Sequence, residues 1–415
     1  MQSAGARENI PKPVGSLGLL PHVPLNPLSA MRQWLPALCG MSCLCFGPGL
    51  VGIYGFFVEP LSREFGVGVA MLNIGPVALL LVPGIVAPRI GKLADRLPIR
   101  RIILTGVSLA MLSLCAISQM PSLLLAGLGF LCFALGMTMY GPVVINGLMV
   151  KIYTGREARA LAIAAMGISL AGTTLPPVVG LLLANLDWRQ TLLLLALTIL
   201  VLQWIVVLSG IPANAGGVNP AVGHAGEKIS RGRPFWLIGF CVALGFNVAI
   251  VLAVCYPPYF ISEGYSVAQA GWFLSIAGIA GLSGKGMVAW LGDAAKGYAK
   301  WLAAGLCMLQ VAGLYALFTA AEASAVIPAM CLLGFGGGAF IPMHPYLNSR
   351  YFDAGIIGQV NGAQMPLFLP FGLVGAPLAG YAFDSMGHYN AVLLALAAAL
   401  VFSALLSMML PGQRK

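Results

Sequence analysis

Between residues 34 and 410 the chain reads as long apolar runs separated by short polar connections. In order, the runs fall near 34–58, 68–90, 101–119, 122–150, 158–184, 190–211, 234–260, 267–291, 298–320, 324–350, 357–383 and 388–410. Each holds roughly 20 to 28 residues, enough at about 1.5 Å per helical residue to cross about 30 Å of hydrocarbon. The expected fold is therefore all-α and polytopic, with twelve transmembrane helices. The longest polar interruption after the first thirty residues runs from Ile211 to Arg233 and divides the spans six and six. The expected organisation is a flexible cytoplasmic tail over 1–33, a six-helix half over 34–211, a cytoplasmic linker over 212–233, a second six-helix half over 234–410 and a short tail over 411–415. The first stretch is rich in Pro and Gly and lacks the continuous apolar region of a cleaved signal peptide.

Composition agrees with this class. The 415 residues are 59% hydrophobic and 8% charged, against about 25% charged in soluble domains. A net charge of +10 would suggest nucleic acid in a soluble protein. Here the basic residues sit in connections, where they orient helices and meet anionic lipid headgroups, so no nucleic-acid partner is expected. The even-numbered connections hold Arg89 to Arg101, Lys151 with Arg156 and Arg159, Lys228 with Arg231 and Arg233, Lys296 with Lys300, and Arg350. The odd-numbered ones offer Arg63 and Arg189, which places both termini in the cytoplasm. Compact loops suggest a bacterial inner membrane and a monomer. The nine Cys lack the paired spacing of a metal site and read as packing residues.

The densest charged connection is Gly91-Lys92-Leu93-Ala94-Asp95-Arg96-Leu97-Pro98-Ile99-Arg100-Arg101. This Gly-x-Leu-Ala-Asp-Arg-x-x-x-Arg-Arg pattern resembles the signature of the major facilitator superfamily between its helices 2 and 3. A partial echo, Ala289-Trp290-Leu291-Gly292-Asp293-Ala294-Ala295-Lys296, returns at the equivalent place in the second half, as a diverged internal repeat would. The resemblance implies two halves facing a central cavity, with cargo held near the midplane and alternating access by rocking. It also implies a gate formed by Gly91, Asp95, Arg96, Arg101 and Asp293, in which Asp95 accepts hydrogen bonds from a helix N-terminus or an Arg.

Charges inside spans carry the most information, because an ionisable group at bilayer depth is costly and usually lines a cavity. All twelve acidic residues lie in the tail, the loops or the span ends; the one basic residue clearly inside a span is Lys285. It precedes Asp293 by eight residues, about 12 Å along a helix. Gly278, Gly281 and Leu282 share its helical face and leave space beside the ammonium. A lone cation without an acidic partner on any span invites an anion; the alternative is a lysine that snorkels to the interface.

Three patches narrow the resemblance. Gly284-Lys285 followed by Asp293, the segment Tyr54 to Gly66, and Tyr140 ahead of Arg156-Glu157-Ala158-Arg159-Ala160-Leu161-Ala162 are similar to segments of the monocarboxylate and oxalate/formate transporter branches. In those branches a basic residue on helix 8 binds substrate carboxylate. Lys replaces the more usual Arg, losing the planar fork. Helix 11, through Asn361, Gln364, Phe368 and Phe371, has no second basic residue, which argues for a single negative charge on the cargo.

Tyr140, Thr173, Asn247 and Gln364 are polar groups at mid-span depth that either bind substrate or join helices. His344, between Pro342 and Pro345, either carries a coupling proton or satisfies a carbonyl freed by the kink. No paired carboxylates, Ser-His-Asp set, phosphate loop or metal cluster is visible, so neither an enzyme nor a cofactor is expected. The sequence thus points to a secondary transporter of a small organic anion, a monocarboxylate, with Lys285, Tyr140, Asn247, Gln364, Thr173 and His344 as substrate-binding candidates. The alternatives are a multidrug or metabolite exporter with a largely apolar cavity, or a transporter-like receptor.

Overall fold

The computed structural model describes residues 32–67, 72, 74–215 and 229–412. Residues 1–31 of the expected tail over 1–33, residues 216–228 of the expected linker over 212–233, Lys228 among them, and residues 413–415 of the expected C-terminal tail lie outside them. The described residues from Leu35 onward form one compact unit, and among the described residues twelve helices are long and apolar enough to cross a membrane.

The first, α1, runs Leu35–Phe46 and continues past Gly47 as a tighter 3-10 segment, Pro48–Ile53, before a separate short helix at Gly55–Phe65. Then follow α2 (Ile74–Arg96), α3 (Ile99–Ile117) and α4, which breaks at Gly141 into Leu123–Tyr140 and Pro142–Ile152. The first half closes with α5 (Glu157–Asn185) and α6 (Trp188–Gly210). The second repeats the order with α7 (Arg233–Ser262), α8 (Val267–Leu291) and α9 (Ala299–Phe318). Helix α10 breaks at Ile341 and Pro342 into Ala323–Phe340 and Met343–Tyr351. Helix α11 joins Ile357–Gln364 to Leu369–Met386 through a 3-10 turn, Met365–Phe368, and α12 spans Asn390–Met408.

The ends of these helices follow local chemistry. Asp187 caps α6 by accepting from Gln190 N at 2.7 Å, and Ser266 and Gln269 form a reciprocal capping box on α8. Breaks within spans sit at proline, which lacks the N–H that a continuous helix needs. At Pro48, Leu50 N turns to Gly47 O, and the carbonyl of Phe46 receives the Tyr140 hydroxyl instead, at 2.7 Å. A buried polar break is thereby satisfied by a side chain from α4.

Small residues bring helices together where lipid supplies no hydrophobic drive. On α8, a methyl added at Gly281 would lie 3.1 Å from Gly334 O, and one at Gly284 would lie 3.1 Å from Ala339 N. The glycines beside Lys285 therefore seat α8 on α10. The space expected beside the ammonium at Gly281 is filled by the α10 backbone, while Gly278, with nothing within 4 Å, remains open.

Candidate functional site

The two halves meet at the end of the bundle where α2 passes to α3. The carboxylate of Asp95, on the last turn of α2, accepts from Gly358 N at 3.1 Å and Gln359 N at 2.7 Å, both at the N-terminus of α11. The carboxylate of Asp293, just beyond α8, accepts from Ala158 N at 2.9 Å and Arg159 N at 3.3 Å, both at the N-terminus of α5. Helices α2 and α8 are each second in their half, and α5 and α11 each fifth. The two contacts are the same joint made twice, with the halves exchanged. In each, an anion faces the positive end of a helix dipole and unpaired backbone N–H groups.

Around these joints the cations add cross-links. Lys151 Nζ lies 2.8 Å from Asp95 Oδ1 and donates to Ala94 O at 3.2 Å. Lys296 donates to Gly155 O, Arg159 Nε to Ala289 O at 2.9 Å, and Tyr346 to Gly292 O at 2.7 Å. Burial pushes the Asp293 carboxyl up from its ordinary value, and the N–H groups of Ala158 and Arg159 pull against that shift. Gly91 lies directly against the Gly358 carbonyl. Arg96 and Arg101 stand exposed, and their guanidinium groups make no hydrogen bond or ion pair among the described residues. Lys151, read in the sequence only as a basic loop residue, occupies the position beside Asp95.

Deeper between the halves is a cavity of about 240 Å³. Its wall comes from α1, α2, α4 and α5 on one side and α7, α10 and α11 on the other, and it is mostly apolar, with Leu79, Pro83, Phe246, Phe340 and Phe368 prominent. Three side chains in the wall carry polar groups: Thr138, Asn146 and His344. Thr138 donates its hydroxyl to Ala134 O at 2.8 Å. Asn146, on α4 after the Pro142 break, has a side-chain amide that makes no protein hydrogen bond among the described residues. The sequence reading missed it, although a lone Asn one turn beyond a mid-span proline was the signal available.

His344 anchors a buried polar cluster. Its Nε2 lies 2.7 Å from Gln364 Oε1, and the same oxygen accepts from Asn348 Nδ2 at 2.7 Å. Asn348 Nδ2 also donates to Asn361 Oδ1 at 2.7 Å, and Gln364 Nε2 donates to Phe235 O at 2.8 Å. Gln364 is thus fully engaged in joining α7, α10 and α11.

The remaining sequence candidates are dispersed. Lys285 is 3% exposed, is absent from the cavity wall, and its ammonium donates to Ser169 Oγ, 2.5 Å away on α5. Ser169 follows Ile168, which is in the wall. Among the described residues no carboxylate pairs with Lys285. Tyr140 is buried and committed to Phe46 O. Thr173 is exposed, with its hydroxyl on Leu170 O at 2.9 Å. Asn247 lies against Gly375 of α11, its Oδ1 buried without a hydrogen-bond partner among the described residues. Of the six candidates, His344 alone lines the cavity.

Twelve apolar helices in two six-helix halves, latched reciprocally at one end around a central cavity, define an integral membrane protein of the transporter class. The sequence pattern of the Major Facilitator Superfamily matches residues 39–372, and the chain belongs to that family. It is 26% identical over 324 residues to rat (Rattus norvegicus) monocarboxylate transporter 12, covering 68% of this chain and 64% of the relative. It is 27% identical over 361 residues to bovine (Bos taurus) monocarboxylate transporter 13, covering 83% and 80%. The chain thus spans less than two thirds of the length of the transporter 12 relative. In fold it is similar to the proton:xylose symporter XylE, with a TM-score of 0.72 at 14% identity over 92% of this chain and 96% of that one. It is also similar to the transporter FucP in its outward conformation, with a TM-score of 0.70 at 14% identity over 91% and 98%.

Proposed function

We propose that this chain is a secondary transporter that carries a small monocarboxylate across a cytoplasmic membrane by alternating access, with both termini in the cytoplasm. The observation that carries the reading is Lys285, a buried cation bridging α8 to Ser169 of α5 with no carboxylate beside it among the described residues. A buried ammonium held by one hydroxyl has donor capacity and charge to spare, and a cargo carboxylate supplies both partners. The apolar wall suits an alkyl body, and a single cation suits a single negative charge. Two relatives named monocarboxylate transporters support the class of cargo. The orientation follows from the Lys and Arg residues gathered at the latched end, Arg96, Arg100, Arg101, Lys151, Arg156 and Lys296 among them, against Arg63 and Arg189 at the other.

In this reading Asp95 and Asp293 hold the cytoplasmic side closed, so the cavity opens outward until both joints release. The apolar lining favours a second reading, an exporter of apolar compounds in which Lys285 is structural. Thermal stabilisation of the purified protein, followed by uptake in proteoliposomes with and without a proton gradient, separates the two. A panel of small carboxylates, neutral solutes and cationic drugs is compared on wild type, Lys285→Ala and Lys285→Arg. A ligand at a hundredfold excess over its Kd adds about 2.7 kcal/mol of stability. Carboxylates that stabilise wild type and Lys285→Arg but lose at least about a hundredfold in affinity on Lys285→Ala support the transporter reading. Stabilisation of all three proteins by neutral or cationic compounds, with none from carboxylates, overturns it in favour of the exporter.

A further inference from the structure

We propose that His344 is a specificity-determining residue held as a hydrogen-bond acceptor, so that the cavity selects cargo carrying an O–H or N–H donor. The inference rests on the transport reading above and deepens it by naming what the cargo must carry besides its carboxylate.

The argument starts at a backbone carbonyl, which can only accept. Phe235 O lies 2.8 Å from the Gln364 side-chain amide, so the atom facing it is the NH₂ group and the other is the carbonyl oxygen. That oxygen is the atom 2.7 Å from His344 Nε2. Two acceptors at hydrogen-bond distance would leave a buried pair facing lone pair to lone pair, so His344 Nε2 carries the proton. Asn348 Nδ2, which donates to the same oxygen at 2.7 Å, reinforces the orientation: a flipped Gln364 would set NH₂ against NH₂. In the neutral imidazole one nitrogen donates and the other accepts. With Nε2 committed as donor, Nδ1 is left as a bare acceptor.

His344 is 6% exposed and lines the cavity, and among the described residues no group hydrogen-bonds Nδ1. The ring cannot readily turn away, because Gln364 holds one edge and Phe368 packs edge-on at 5.5 Å and 71°. Its position on α10 is set by the break at Ile341 and Pro342, which starts the helical segment Met343–Tyr351 one residue earlier. A cargo donor that reaches Nδ1 completes the ring's hydrogen bonding. A cargo acceptor there meets a lone pair and leaves Nδ1 unsatisfied, and that asymmetry is what produces selectivity. Gln364 is a positioning residue: it fixes which nitrogen bears the proton without reaching the cavity.

The test is competition for binding, in detergent and in proteoliposomes, by 2- and 4-hydroxypentanoate, their 2- and 4-oxo counterparts and pentanoate. Wild type is expected to bind one hydroxy acid roughly five- to tenfold more tightly than its oxo counterpart and its parent. His344→Gln, whose Nε2 can still donate to Gln364, should lose the hydroxy preference, its ratio of hydroxy-acid to parent-acid affinity falling to about one. His344→Asn, which keeps a polar atom near the Nδ1 position, should retain part of it. Gln364→Leu should let the imidazole choose either tautomer and bring the hydroxy and oxo acids together. Equal wild-type affinities for hydroxy, oxo and parent acids overturn the inference without any variant. So does a hydroxy preference that survives in a folded His344→Gln. Lys285-dependent binding of all five acids with a flat ratio leaves the transport reading standing and removes this one, whereas no binding of any carboxylate removes both.

Discussion

Replacing Gly91 by Ala should unlatch the halves. The Gly91 Cα faces the Gly358 carbonyl so closely that an added methyl would overlap its oxygen, and it would sit 2.7 Å from Gly358 C and 3.3 Å from Gln359 N. All three obstacles are backbone, so no rotamer change relieves them. Restoring an ordinary C···O contact of about 3.3 Å requires α2 and α11 to part by on the order of 1 Å. The bonds from Gly358 N and Gln359 N to Asp95 are 3.1 and 2.7 Å long. A shift of that size carries both beyond about 3.5 Å, where a hydrogen bond is effectively lost. Overpacking in a close-packed interface costs about 1–3 kcal/mol, a five- to 150-fold change in the ratio of latched to unlatched molecules. The matched control is Gly127→Ala on α4, where an added methyl meets nothing within 4 Å.

The assay is a spin-label distance measurement between Arg101→Cys and Ala354→Cys, exposed positions at the latched end of the two halves, after replacement of the exposed Cys132 and Cys331. Gly91→Ala should add or enlarge a longer-distance population, and Gly127→Ala should reproduce wild type. Identical distance distributions in a folded Gly91→Ala protein would refute the reasoning, because the methyl would then have been accommodated without separating the helices.

Two further outcomes follow from other joints. Tyr140→Phe leaves the buried Phe46 carbonyl without its donor and should lower thermal stability by about 1–3 kcal/mol while leaving carboxylate affinity unchanged; a selective loss of affinity would return Tyr140 to the binding site. Glu64, at the unlatched end, accepts from Trp188 Nε1 and Arg189 Nη2, each at 2.5 Å, and the Arg189 hydrogen bond leads in holding its carboxyl below the ordinary range. Its stabilising contribution is therefore present above the ordinary glutamate pKa of about 4.3 and fades as pH falls through the lowered folded value. Melting temperature measured across that acid range should drop less steeply for Glu64→Gln than for wild type, and parallel curves would count against the pairing.

The spans were readable because each is one continuous apolar segment whose length alone decides its fate. The run near 267–291 coincides with Val267–Leu291, and that near 158–184 with Glu157–Asn185. The breaks were partly readable, since Pro48, Pro142 and Pro342 mark three of them. The site was less so. That Tyr140 serves Phe46, and that Ser169 faces Lys285, depends on pairs 94 and 116 positions apart, and no local spacing carries that information. Gly281 illustrates the same limit. Its place one turn from Lys285 was visible, but whether the missing side chain admits a ligand or a neighbouring helix depends on where α10 lies.

Helices α5 and α8 carry two features at once, and their combination constrains any transport cycle. The Asp293 joint closes the pair at one end, and the Lys285 to Ser169 contact crosses it eight residues, about 12 Å, further in. On the transport reading, an anion arriving at Lys285 binds between two helices that are already drawn together, so binding alone gives no reason for the joint to open. A ligand shifts a conformational equilibrium only by its differential affinity for the two states. The cargo must therefore gain more in the unlatched arrangement than two carboxylate-to-helix joints lose, or a second ion must make up the difference. Lys285 is suited to the first route, since its ammonium offers two more donors than Ser169 uses, and an arrangement that moves α8 along α5 can exchange the hydroxyl for a carboxylate without leaving the charge unpaired.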